Sequence, residues 1–190
     1  MKTLEWNNPT TITSASFKCA FCANTVASNL GYRATSKVIN KSARIYICPH
    51  CNNPSYFNDY NNQYPSPIIG EAVANITDEE VETLYEEARS AASCNAFTAA
   101  ILCCRKLLMN IAVSKGAAVD LKFIEYVEYL SNKGYIPPDG KGWVDQIRIK
   151  GNEATHEIKI ISKEEAAQLI RFCEMLLRFV YEFPSYISDE

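Results

Sequence analysis

Residues 19–51 read CAFCANTVASNLGYRATSKVINKSARIYICPHC, and the four cysteines at the ends of this stretch decide how the chain begins. Cys19 with Cys22 and Cys48 with Cys51 form two C-x-x-C pairs separated by 25 residues. Each pair can set two thiolates on one side of a tight turn, and two such turns supply the four soft ligands that zinc takes in a tetrahedron at about 2.3 Å. Between the pairs, YRATSKVINKSARIYIC alternates β-branched and aromatic residues in part, which predicts strands. The expectation is a small β zinc ribbon over residues 1–51, with one structural Zn2+ held by Cys19, Cys22, Cys48 and Cys51. So short a segment cannot close a core unaided, and metal affinity of about 10–16 kcal/mol would supply most of its folding free energy. Four thiolates leave no coordination position open to a substrate, which argues against a catalytic ion. A thioredoxin-like redox pair would need a βαβ context that these residues lack. His50, inside CPHC, is expected at the surface because four cysteines already complete the site.

Downstream, residues 52–76 are rich in Asn, Tyr and Pro without a helical period and read as an extended connector packed on the helical part. Its Tyr56, Phe57, Tyr60 and Tyr64 are too aromatic for a disordered linker, so burial against the helices is expected rather than base stacking. From residue 77 the period becomes helical. Thr77, with Glu80 three residues on, signals the start of a helix running to Ser93. Ala96 to Ser114 is apolar nearly all round and is closed by Gly116, which predicts a central helix. Further helices are expected over Asp120 to Asn132, over Trp143 to Ala154 and, opened by Ser162 and Glu165, over Ser162 to Glu182. The predicted architecture is mainly α: a five-helix bundle over residues 77–190 behind the ribbon.

With 47% hydrophobic residues the chain is globular in composition, and its net charge of -3 does not advertise a polyanion partner for the whole molecule. The sum hides an asymmetry. Residues 1–51 carry Lys2, Lys18, Arg33, Lys37, Lys41 and Arg44 against Glu5 alone, a net of +5, whereas residues 77–190 net -6. A basic N-terminal piece on an acidic body suits RNA or DNA at that end, and equally the plain solvation of a small domain's surface. The first residues lack an apolar signal core, and the apolar stretch from Phe97 to Val113 is interrupted by Arg105 and Lys106, so no membrane partner is expected. Four cysteines spaced for metal and four more (Cys94, Cys103, Cys104, Cys173) in helical patterns suit a reducing cytoplasm.

The stretch RIKGNEATHEIKIIS, Arg148 to Ser162, holds the second of the two histidines. On a continuous helix Arg148, Asn152 and His156 fall on one face at i, i+4 and i+8. A guanidinium, an amide and an imidazole there could serve metal-free cleavage of RNA through its own 2′-hydroxyl. The same groups could equally cap the helix and close a structural corner. Arg105, a charge in an apolar helix, must reach solvent or find an acceptor such as Glu153 or Glu157.

The successive segments LYEEARSAASCNAFTAAILCCRKLLMNIA, IRIKGNEATHE and LIRFCEMLLRFVYEFP resemble the family called domain of unknown function 4145, over about residues 78–184. That family is similar to the wider HEPN group of helical bundles, many of them dimeric, found in toxin, antiphage and RNA-processing systems. The resemblance implies a homodimer through the bundle and a setting in a defence or restriction-type system. In catalytic HEPN ribonucleases an Arg and a polar residue precede a His. Here His156 fits the His, Asn152 stands near the polar position, and the Arg slot falls on Ile149, Lys150 or Gly151, with Arg148 one step earlier. Two readings follow: a non-catalytic module binding nucleic acid or a protein effector, and a metal-independent ribonuclease using His156, Asn152 and Arg148 or Lys150. Labelled single-stranded RNA incubated with the protein in a chelating buffer separates them. The binding reading expects intact RNA at high protein concentration, and cleavage abolished by His156→Ala establishes the other.

Overall fold

Strands, not a short ribbon, occupy most of the first 64 residues. In the computed structural model, which describes residues 4–36, 41–137 and 160–187, β1 (Thr10–Lys18), β2 (Thr25–Ser36), β3 (Lys41–Ile47), β4 (Pro54–Phe57) and β5 (Gln63–Tyr64) form one antiparallel sheet in sequence order. Side chains alternate between the two faces of such a sheet. One face buries Phe17, Tyr46 and Phe57, whose ring centroids lie 5.3 to 5.8 Å apart in tilted and edge-on pairs. Each pair of this kind adds about 0.5–1.5 kcal/mol beyond its buried area. Gly31 allows β2 and β3 to approach, because a Cβ there would meet the Ile45 carbonyl oxygen at 1.8 Å.

The chain divides into two units, residues 1–68 and residues 69–190. The second is built from α1 (Glu79–Ser93), α2 (Phe97–Ser114), α3 (Phe123–Asn132) and α4 (Lys163–Leu177); α4 runs on through a wider π turn, Arg178–Glu182, into the short α5, Phe183–Ser185. The caps explain the boundaries. Asp78, one residue after the expected Thr77, accepts from the amides of Glu80 and Val81 at 3.0 and 3.2 Å. Ser162 and Glu165 form a reciprocal capping box at α4, as the sequence predicts. Length and composition alone would let α2 cross a membrane, at a mean hydropathy of 1.5 over 18 residues. In the fold its Ala100, Ile101, Cys104, Leu107, Leu108 and Ile111 are buried in the core with Val127, Leu130, Ile170, Phe172 and Leu176.

The expected five-helix bundle behind a small ribbon does not hold. The described residues form four helices of ten or more residues and a five-stranded antiparallel sheet, so one unit is all-β and the other α-helical. Residues expected as connector supply β4 and β5, because Phe57 is needed to complete the ring cluster under the sheet. The helix expected over Trp143 to Ala154 lies outside the described residues.

Residues 69–75 are laced to α1 and to the end of α4 by polar groups. Tyr85, fully buried, donates to the Glu71 carbonyl at 2.9 Å, and buried Arg89 donates to the carbonyls of Ile69 and Gly70 at 3.3 and 3.0 Å. The Glu174 carboxylate accepts from the Glu71 amide at 3.0 Å, and that of Glu182 accepts from the Ala74 amide at 3.2 Å. Arg178 sits between these two carboxylates, at 3.1 Å from Glu174 and 2.8 Å from Glu182. Burial pushes the Glu182 carboxyl up, but the Ala74 amide, the Tyr186 hydroxyl and Arg178 outweigh it and hold it below the ordinary value of 4.5. A carboxyl lowered on folding contributes stability above its unfolded value and loses it as pH falls through the folded one. Glu182→Gln is therefore expected to lower the thermal midpoint at neutral pH, and the melting curves of variant and parent, followed by circular dichroism, converge as the pH drops below 4.5.

Candidate metal centre

Each C-x-x-C pair sits in a turn that repeats the same hydrogen bonds. In the first, the Cys19 amide donates to the Asn24 carbonyl at 2.9 Å and the Ala23 amide to the Cys19 carbonyl at 3.0 Å; in the second, Cys48 pairs with Asn53 and Asn52 with Cys48, both at 2.9 Å. Ala23 and Asn52 occupy the same place in the two turns with φ of 58° and 61°. Such left-handed backbone is uncommon outside glycine and favours Asn. The turns bring the four sulfurs within 4.8 Å of one another, with Cys19 to Cys51 at 3.7 Å and Cys22 to Cys48 at 3.8 Å. A tetrahedron of sulfurs around an ion at about 2.3 Å has edges of about 3.8 Å. These four cysteines can therefore hold a metal ion.

The surroundings prepare the sulfurs for a cation. The Phe21 amide donates to Cys19 Sγ at 3.4 Å, and Asn53 Nδ2 donates to Cys51 Sγ at 3.5 Å. Burial pushes the Cys19 thiol up to about 12, against the lowering pull of the Phe21 and Cys22 amides. Burial also acts upward on Cys22, yet the Asn24 backbone and side chain and the neighbouring thiols bring it down to about 6. Cys48 is raised, chiefly by burial. Four thiolates crowded into so small a volume repel one another, and a bound cation would offset that repulsion. Thiolate ligation in this geometry suits zinc or an iron centre.

The four cysteines singled out by their spacing come together in the structure, and His50 stands exposed beside them with Nδ1 3.3 Å from Asn24 Nδ2. Asn24 and Asn53 are second-layer residues that the spacing argument passed over. Their signal was in plain sight, since both pairs read C-x-x-C-x-N. Arg148, Asn152 and His156 lie outside the described residues, as do Glu153 and Glu157. Arg105 is half-buried with its guanidinium carbon 4.0 Å from the Phe123 ring centroid, and burial lowers its pKa. Cys104 and Cys173 are buried core thiols, Cys173 Sγ lying 3.9 Å from the Cys104 carbonyl. Among the described residues the cysteine quartet is where metal-binding side chains converge.

Residues 86–188 match the family described as a domain of unknown function, 4145, and the chain belongs to that family. The match begins within α1, takes in the rest of the α-helical unit nearly to its end, and leaves the cysteine quartet outside it. No curated protein and no solved structure matches the chain.

Replacing a buried ligand tests the quartet directly. In Cys48→Ser, or in the parent with chelator, residues 1–68 become sensitive to protease while the helical circular-dichroism signal of residues 69–190 stays; a helical signal lost in parallel contradicts separate folding of the units.

Proposed function

We propose that this chain is a non-catalytic binding protein whose N-terminal unit is a five-stranded sheet folded around one structural zinc ion and presents a surface to nucleic acid or to a protein effector. The observation that carries the reading is the closure of the sulfur tetrahedron. Cys19 and Cys48 are 0% and 1% exposed, and four protein thiolates leave a substrate no place at the ion. Zinc suits such a post because it brings no redox chemistry and no geometric demand beyond the tetrahedron. A HEPN-like kinship for the helical unit and a place in a defence or restriction-type system rest on the sequence resemblance, the matched family itself being of unknown function. The charge division supports binding through the N-terminal unit, where basic residues outnumber acidic ones six to two.

Elemental analysis of protein purified without chelator tests the reading. One equivalent of zinc per chain, released together with the thermal transition of residues 1–68, is the expected result. Protein that is folded and metal-free, or loaded with iron, overturns it.

A further inference from the structure

The face of the sheet turned away from Phe17, Tyr46 and Phe57 is not polar. Tyr32, Ile45, Tyr56 and Tyr64 are register partners across β2, β3, β4 and β5, and so lie in one row on that face. Trp6 extends the row, its ring centroid 6.4 Å from that of Tyr32. Tyr56 and Tyr64 are 41% and 38% exposed, and Tyr60 on the loop between β4 and β5 is 76% exposed. The Tyr56 and Tyr64 rings stand 6.1 Å apart at 42°, so neither covers the other's face. Beside the row the next register pair is Ala34 with Ala43, and beyond it Ser36 with Lys41. The small pair opens a groove of about 430 Å³ between Tyr56, Tyr60 and Lys41. Asp59, the carboxylate on the groove, is engaged by the Ser42 amide at 3.0 Å.

We infer that this tyrosine row is a stacking platform for single-stranded nucleic acid, with Lys41 at its edge meeting phosphate. The inference rests on the binding reading above and names its partner. Every base has a π-face, so aromatic rings spaced along a groove hold a strand whatever its sequence. A duplex hides those faces in its own stack. Charge favours the same partner: residues 1–68 carry six lysines and arginines against Glu5 and Asp59, a net of +4, while residues 69–190 carry 13 basic and 20 acidic residues. A polyanion is drawn to the first unit and repelled by the second.

The test uses the full chain after its zinc content and circular dichroism have been measured, with fluorescent single strands of DNA and of RNA of about 20 nucleotides and the matching duplex. Anisotropy is expected to show a single strand bound at least about tenfold more tightly than the duplex, with affinity falling steeply as salt rises. The tighter of the DNA and RNA strands identifies the source. Tyr56→Ala and Tyr64→Ala, both at exposed positions, each weaken binding about 5-fold or more, whereas Tyr56→Phe, which keeps the ring, stays within about twofold of the parent. Folded, zinc-loaded protein that binds neither strand, that binds the duplex as well, or whose alanine variants bind like the parent overturns the inference and leaves the zinc reading standing. A folded, metal-free preparation instead overturns the zinc reading before any nucleic acid is added.

Discussion

Four sulfurs held within 4.8 Å of one another are the constraint on which the N-terminal unit depends. Its buried cluster consists of Phe17, Tyr46 and Phe57 together with Cys19 and Cys48, so two of its five members are metal-site thiols. Without a cation the four sulfurs would crowd one another with nothing to offset the repulsion of their ionised forms. With one, the two turns are fastened together and the ends of β1 and β3 are fixed beside each other. The rings then have a floor to pack on. Metal binding at these cysteines would be coupled to sheet formation, since the unfolded chain has no preformed site.

The α-helical unit solves a different problem. Its apolar helices close a core by themselves, with Leu107, Leu108, Ile111, Phe172, Leu176 and Leu177 fully buried. What remains is the segment of residues 69–75, which has no regular structure and must place its amides and carbonyls somewhere. Tyr85, Arg89, Glu174, Arg178 and Glu182 provide the partners from α1 and from the end of α4. Burying Arg89 and Glu182 is tolerable because each meets several groups; cutting one member would leave others buried and unpaired.

How much of this the sequence reveals varies with the kind of force. The C-x-x-C pairs are legible because ligand chemistry dictates both residue type and spacing, and α1 to α4 are legible from apolar period and caps. β4 and β5 are not, because in PSYF the small polar Ser55 points inward, fully buried, while Tyr56 points out at 41% exposed. That reverses the usual alternation of an antiparallel strand, and the surrounding Asn and Pro residues disguise it further. Ser28 behaves likewise, buried with its hydroxyl donating to the Ile47 carbonyl at 2.7 Å. The shift from Thr77 to Asp78 at the first cap shows a finer limit: both side chains can accept the orphan amides, and only the backbone path chooses between them.

That reversal in β4 also explains how one small sheet can carry two aromatic faces. A solvent-facing row of tyrosines contributes little to folding, since partly exposed rings recover only part of their burial energy. The inner face already holds the three rings that the metal turns need. Tyr56 and Tyr64 are therefore available to a ligand without loss of the fold, and the hydroxyl on each keeps an exposed ring soluble. Stability on one face and contact on the other follow from a single fact of strand geometry: neighbouring residues point in opposite directions.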